Sequence, residues 1–438
     1  MDSNNSRPVR RKITERLIAW KDAPTRMPLI VYGARQVGKT YTILDFGETH
    51  YKNVVYFNFE DNDELHRIFD REKSAERLLQ ELSAKSGQTI LAGDTLLFFD
   101  EVQTCEKALM ALGEFCTNAP AYHIIAAGSV LGVSVNRRRF RFPVGKVAML
   151  TLYPLDFEEF LWLQGEEDLA LQIRAACDAG AGFDSHDRAM DLFRVYLVCG
   201  GMPRALLEHR ATGNFNLILA QQKSIGDAYV ADMTRQASPM ETAKIMAAYD
   251  SIPKQLIKEN RKFQYSVIRQ GARSTEFDTP IDWLRAGGVA FRSVKVTEGK
   301  LPLLSYQEKS SFKIYMSDTG LLFSKLSIPP GPVLTGVPGY ETYAAALFEN
   351  AVAAALVQNG YTPFYWESAG RAEIEFVIQD REGNVVPCEV KPAGSARGKN
   401  LQQFISRYGP KYALRISESP FAVSGKIRTI PYYALFCL

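Results

Sequence analysis

Between residues 12 and 152 short apolar runs alternate with longer amphipathic stretches. Pro28-Leu29-Ile30-Val31-Tyr32, Val54-Val55-Tyr56-Phe57-Asn58-Phe59, Thr95-Leu96-Leu97-Phe98-Phe99, His123-Ile124-Ile125-Ala126-Ala127 and Val147-Ala148-Met149-Leu150-Thr151-Leu152 read as strands, the first and third of them buried. Residues 12–21, 63–87 and 106–117 carry apolar residues at helical spacing. Strands alternating with helices predict a parallel α/β sheet that binds its ligand at the carboxyl ends of the strands. After Tyr153-Pro154-Leu155 the period changes, and residues 156–260 read as mostly helical, with a turn at Gly200-Gly201-Met202-Pro203. Ile252-Pro253 is expected to open one helix and Pro280-Ile281 another. Strand-like segments follow near 290–297 and 311–316. Helices followed by a hairpin predict a winged-helix module. Ile328-Pro329-Pro330-Gly331-Pro332 reads as a linker. Beyond it, residues 340–358 form a strong helix, and strands alternate with turns to residue 438.

The loop after the first strand carries the chemistry. Gly33-Ala34-Arg35-Gln36-Val37-Gly38-Lys39-Thr40 fits the phosphate-loop pattern G-x-x-x-x-G-K-[ST], followed by Tyr41 and a helical run. The glycines let backbone N–H groups turn towards phosphate oxygens, and the helix N-terminus adds a favourable dipole. Lys39 is expected to reach the β- and γ-phosphates of ATP, and Thr40 to offer its hydroxyl to Mg²⁺. Arg35 either contacts phosphate or braces the loop. The third strand ends in Asp100-Glu101, which suits Asp100 as a second Mg²⁺ ligand and Glu101 as the base for an attacking water. The next strand ends at Gly128-Ser129, which places Ser129 to sense the γ-phosphate or position water.

Composition narrows the class. The 438 residues are 46% hydrophobic and 23% charged, with a net charge of +3, so nucleic-acid contact would have to come from local patches. Lys254, Lys258, Arg261 and Lys262 form one such patch, with a solvated helix face as the alternative. The 6 cysteines show no C-x-x-C pair, which argues against a zinc site and for a reducing compartment. No signal-peptide pattern or long apolar span is seen, so a cytoplasmic protein without membrane contact is expected.

A second constellation lies between residues 349 and 403. Glu349 sits on the 340–358 helix, Glu375 on an alternating strand, and Glu389-Val390-Lys391 on the next strand, where Glu389 and Lys391 share a face. Two carboxylates and a lysine are the donor set for metal-assisted phosphodiester hydrolysis. Glu349 would complete the site, with Gln402 or Gln403 nearby. The alternative is a face of cross-strand ion pairs, each worth about 0–1 kcal/mol.

Gly33 to Thr40, Asp100-Glu101-Val102-Gln103, Gly128-Ser129, Tyr153 to Leu161, Gly200 to Pro203, Lys313 to Leu322, Phe348-Glu349-Asn350 and Glu389-Val390-Lys391 together resemble a family of bacterial and archaeal AAA-type P-loop ATPases. Its members end in a domain of uncharacterised function related to restriction-endonuclease-like folds. The resemblance implies an α/β fold in three parts. These are a P-loop NTPase parallel sheet with a helical lid (1–212), a helical and winged-helix domain (213–330) and an α/β restriction-endonuclease-like domain (331–438). It implies ATP and Mg²⁺ bound at residues 33–41 with Asp100 and Glu101, and a nuclease-like core of Glu349, Glu375, Glu389 and Lys391. Glu375 stands where the family usually has aspartate. Such ATPases commonly take an arginine from a neighbouring subunit of a homo-oligomer. Arg137, Arg138, Arg139 and Arg141 lie where that finger tends to be, unless they form an exposed basic loop. Arg204 would be a lid arginine or a surface one. The expected activity is Mg²⁺-dependent ATP hydrolysis coupled to binding or processing of nucleic acid, with DNA as the candidate partner. The alternative is a slow nucleotide switch whose inert C-terminal scaffold binds a protein.

Overall fold

The computed structural model describes residues 9–71, 74–128, 142–258, 261–336, 341–368, 372–391 and 399–438. The described residues divide into two compact units, one within 10–153 with 286–288, the other of residue 9 with 154–285 and 289–438. The expected boundaries at 212 and 330 fall inside the larger unit.

The smaller unit is built on five parallel strands: β1 (Leu29–Tyr32), β2 (Asn53–Asn58), β3 (Thr95–Asp100), β4 (His123–Gly128) and β5 (Ala148–Thr151). Their order is β2-β3-β4-β1-β5. β3 and β4 are buried along their whole length, as their unbroken apolar runs require of central strands. β2, at an edge, alternates between buried Val55 and Phe57 and exposed Tyr56 and Asn58. Phe59, Phe69, Phe99 and Phe115 pack together beneath the sheet with Leu65, Leu78 and Leu112. The strand order reverses beside β1, and in open parallel sheets that switch point opens a crevice at the carboxyl ends. The loop 33–38 joins β1 to the helix Lys39–His50 at that place.

In the larger unit a helical stretch, Phe157–Gln164 to Ser274–Ala286, precedes an eight-stranded mixed sheet. Its strands are β6 (Ala290–Val296), β7 (Gln307–Met316), β8 (Phe364–Glu367), β9 (Glu373–Gln379), β10 (Val385–Lys391), β11 (Ala413–Ser417), β12 (Ala422–Ser424) and β13 (Ile427–Pro431), in the order β12-β13-β11-β10-β9-β8-β6-β7. The hairpin suggested for a winged helix forms as β6 and β7. It does not stand apart, because β6 continues the sheet by pairing in parallel with β8, Val294 opposite Phe364 and Val296 opposite Trp366. Two helices are longer than expected. Pro280 lies inside the helix Ser274–Ala286. Pro253 opens nothing but lies inside the helix Pro239–Ile257, which starts at a capping box formed by Ser238 and Glu241. The stretch expected as a linker contains the short helix Pro330–Thr335. The buried helix Glu341–Gln358 lies against β7 and β10, and Lys399–Tyr408 packs on β9 and β10. Phe193, Phe348 and Tyr432 stack in a row that joins the helical stretch to this part. Among the described residues, no helix is long and apolar enough to cross a membrane.

Candidate functional site

Two close contacts shape the phosphate loop. A Cβ on Gly33 would stand 2.1 Å from the carbonyl oxygen of Leu152, whose N–H bonds to Tyr32. Only glycine fits there. Gly38 takes φ 93°, a conformation suited to glycine, immediately before the helix Lys39–His50. Arg11, buried, donates to the carbonyls of Val37 (3.0 Å) and Tyr153 (2.6 Å) and so braces the loop from outside. Lys39 is only 6% exposed and curls back to donate to the carbonyls of Gly33 (3.1 Å) and Ala34 (2.9 Å). Arg35 lies 3.9 Å from Glu60, within reach of an ion pair. Tyr41 is exposed.

β3 brings the acids to the same place. The Thr40 hydroxyl donates to Asp100 Oδ2 at 2.6 Å, and Tyr56 donates to the same oxygen at 3.3 Å. Asp100 Oδ1 accepts the N–H of Glu101 at 3.0 Å. Burial and the neighbouring Asp100 push the Tyr56 hydroxyl up to about 12, which keeps it a donor. Glu101 adopts φ 51° and is half-buried; burial raises its carboxyl above the usual range, against the opposing pull of Gln103 and Lys39. Thr40 and Asp100 offer hard oxygen donors side by side, the donor chemistry that Mg²⁺ takes. Glu101 follows Asp100 directly on the chain.

Lys39, Thr40, Asp100 and Glu101 therefore converge, with Gly33, Ala34, Arg35, Gln36, Val37 and Gly38 forming the loop between β1 and the Lys39–His50 helix. Ser129, Arg137, Arg138, Arg139 and Arg141 lie outside the described residues. Arg204 is exposed on the helix Pro203–Thr212, in the larger unit. Sequence reasoning missed Arg11, Tyr56 and Gln103. The alternation of β2, which sends Tyr56 outward beside Asp100, was the available signal for one of them.

The C-terminal constellation has a different character. Glu349 is 1% exposed and is held by Arg261, by the Tyr315 hydroxyl at 2.6 Å and by Lys313 at 3.4 Å. Lys313, equally buried, also pairs with Glu373. Burial alone would depress Lys313, but Glu349 and Glu373 outweigh it and the ammonium ends above its usual range. Burial likewise works against Glu349, yet its two cations bring its carboxyl below the usual range. The ladder of β9 and β10 pairs Phe376 with Cys388, and the Glu375 side chain accepts the N–H of Val390 at 3.0 Å. Burial and Glu349 push the Glu375 carboxyl up to about 7. Glu389 is fully buried, 3.6 Å from Lys391 and 3.3 Å from Arg415. Lys391 and Glu389 thus share a face as expected, whereas Glu349 is already neutralised by cations from β7 and from residue 261. Among the described residues, no group of three or more His, Cys, Asp or Glu side chains is arranged to hold a metal ion. Gln402 and Gln403 are exposed. The expected basic patch needs correcting as well. Arg261 is turned inward to the buried Glu349, and Lys262 pairs with the partly exposed Glu367. Lys254 and Lys258 remain exposed.

Residues 25–161 match the family model described as an AAA domain. This region is AAA-like. It contains the phosphate loop, the Asp100-Glu101 strand end and all five strands of the smaller sheet. Residues 190–331 and 344–435 match two models that are each described as a domain of unknown function, DUF8612 and DUF4143. No curated protein matches the chain. Among solved structures, a Walker-type ATPase of Pyrococcus abyssi is similar at 13% identity and TM-score 0.43, covering 73% of this chain and 96% of that one. The ORC2 protein of Aeropyrum pernix is similar at 12% identity and TM-score 0.37, covering 76% and 97%. Domain III of the Thermotoga maritima replication initiation protein DnaA is similar at 14% identity and TM-score 0.30, covering 51% and 93%.

Proposed function

We propose that the AAA-like region binds ATP with Mg²⁺ and hydrolyses it, and that nucleotide state governs nucleic-acid binding or processing by the rest of the chain. The observation that carries the hydrolytic part is the 2.6 Å contact between Thr40 and Asp100, with Glu101 adjoining. The loop N–H groups and Lys39 take the phosphates. For Lys39 this means exchanging its two loop carbonyls for phosphate oxygens. Thr40 and Asp100 would hold Mg²⁺, which when bound offsets phosphate charge. Glu101 accepts a proton from the attacking water as its oxygen bonds to the γ-phosphorus and the bond to the β,γ-bridging oxygen breaks. The products are ADP and inorganic phosphate, and the proton leaves with the phosphate or to solvent. Lys39→Ala should abolish tight ATP binding. Glu101→Gln should still bind ATP, while its turnover falls about 10²–10⁴-fold, the usual worth of a general base. Nucleotide binding by fluorescence and phosphate release measure the two; normal turnover in Glu101→Gln would sink the assignment.

A second reading is favoured by the way Glu349 is held. With Arg261, Lys313 and Tyr315 already on it, the C-terminal part suits an inert scaffold that presents a surface to a protein partner. A DNA and RNA cleavage panel with Mg²⁺ or Mn²⁺, with and without ATP, separates the readings. Cleavage that disappears in Glu389→Ala supports nucleic-acid processing. No cleavage by a protein that hydrolyses ATP supports the scaffold.

A further inference from the structure

We propose that Gln103 is a positioning residue for hydrolysis, holding the Glu101 carboxylate through its amide nitrogen and offering its amide oxygen to the attacking water. The inference rests on the reading of Glu101 as the base. Glu101 takes φ 51° and ψ 36°, a left-handed conformation that residues other than glycine adopt at a cost. That bend starts the 3₁₀ turn Val102–Thr104 at once and folds Gln103 back beside the side chain two positions earlier. Gln103 Nε2 donates to Glu101 Oε2.

The turn itself is anchored. Thr104 N bonds to the Glu101 carbonyl at 3.1 Å, and the Thr104 hydroxyl lies 3.0 Å from the carbonyl of Phe59. Phe59 N in turn bonds to the Asp100 carbonyl at 3.0 Å. The strained residue is thus tied to the ends of β2 and β3, which hold the amide and the carboxylate in one geometry. Strain kept at such a site is a feature of residues that work.

The second observation is Gln103 Oε1. It is buried and has no hydrogen-bond partner among the described residues. A buried acceptor left in that state is costly, and an amide oxygen beside a carboxylate suits a water that gives one hydrogen to each. The Gln103 N–H fixes the Glu101 carboxylate on one side of that water, and the Gln103 oxygen stands on the other.

The test is steady-state ATP hydrolysis and nucleotide binding by the full chain, for wild type, Gln103→Ala, Gln103→Glu and Glu101→Gln. Gln103→Ala should lower kcat about ten- to a hundredfold, a share of what a general base contributes. KM and nucleotide binding should stay within about twofold, the mark of an interaction made in the transition state. Gln103→Glu keeps the shape but loses the amide donor, so its kcat should fall as well, and it serves if the alanine variant fails to fold. Wild-type kcat in both variants overturns the proposal, as does a fall in kcat matched by a comparable rise in KM or loss of nucleotide binding. If Glu101→Gln turns over normally, the base assignment fails. If Glu101→Gln is inactive and the Gln103 variants are normal, only this inference fails.

Discussion

Asp100 shows how much of the chemistry is set by single side chains. Thr40 and Tyr56 both give a hydroxyl hydrogen to its Oδ2, so that one oxygen is oriented from the loop and from β2 together. Glu375 shows the opposite case, a carboxylate whose surroundings resist its charge. With its pKa pushed up to about 7, the folded state holds the proton more tightly than the unfolded chain does. The stability linked to that proton is complete below the ordinary glutamate range, near pH 4.5, and is lost as pH rises towards 7. Glu375→Gln keeps an acceptor for the Val390 N–H and removes the titration. Thermal melts should therefore show the variant gaining on wild type at pH 8 and not at pH 4; equal differences at both would refute this. The P-loop residues were legible in the sequence because they are contiguous and their geometry is local. The partners of Glu349 were not. Lys313 and Arg261 stand far from it along the chain, and a lysine within a strand ordinarily reads as a solvated face.

At the scale of elements, the strands and helices of the smaller unit follow the hydrophobic pattern closely, since each central strand is buried on both faces. The helix Pro239–Ile257 was misread because proline is a strong helix-start signal and Pro253 sits well inside. The capping box at Ser238 was the better signal. The turn Gly200-Gly201 and the segment Ser317-Asp318-Thr319-Gly320 stood out in the sequence without a reason. The structure supplies one. Asp318 caps the helix Thr319–Leu326 through the Leu321 N–H at 2.8 Å and also accepts the Gly201 N–H at 2.6 Å. One buried carboxylate fastens two helical elements. Asp318→Ala would strand two buried donors at about 1–3 kcal/mol each. Chemical denaturation should show a loss of that order for Asp318→Ala and a smaller one for Asp318→Asn, which keeps one acceptor; an unchanged midpoint for Asp318→Ala would refute the role.

For the whole molecule, the matched segments and the folded units do not coincide. The segments 190–331 and 344–435 are separate in sequence similarity, yet β6 from the first and β8 from the second are neighbours in one sheet. The hairpin was legible because its turn is local. Its pairing with β8 was not, since register between distant strands is written only in which faces are apolar. Cutting the chain between the two segments would open β6 and β8 as long unpaired edges, the usual template for aggregation. Each fragment made alone should precipitate or bind hydrophobic dye, and the two made together should elute as one species on size exclusion. Soluble, folded single fragments would contradict this. The shared ladder also bears on descent. Val294–Val296 and Phe364–Trp366 must fit each other residue by residue, so neither stretch can be inherited from a different ancestor without the other, and recombination that respects this fold has to carry both across together.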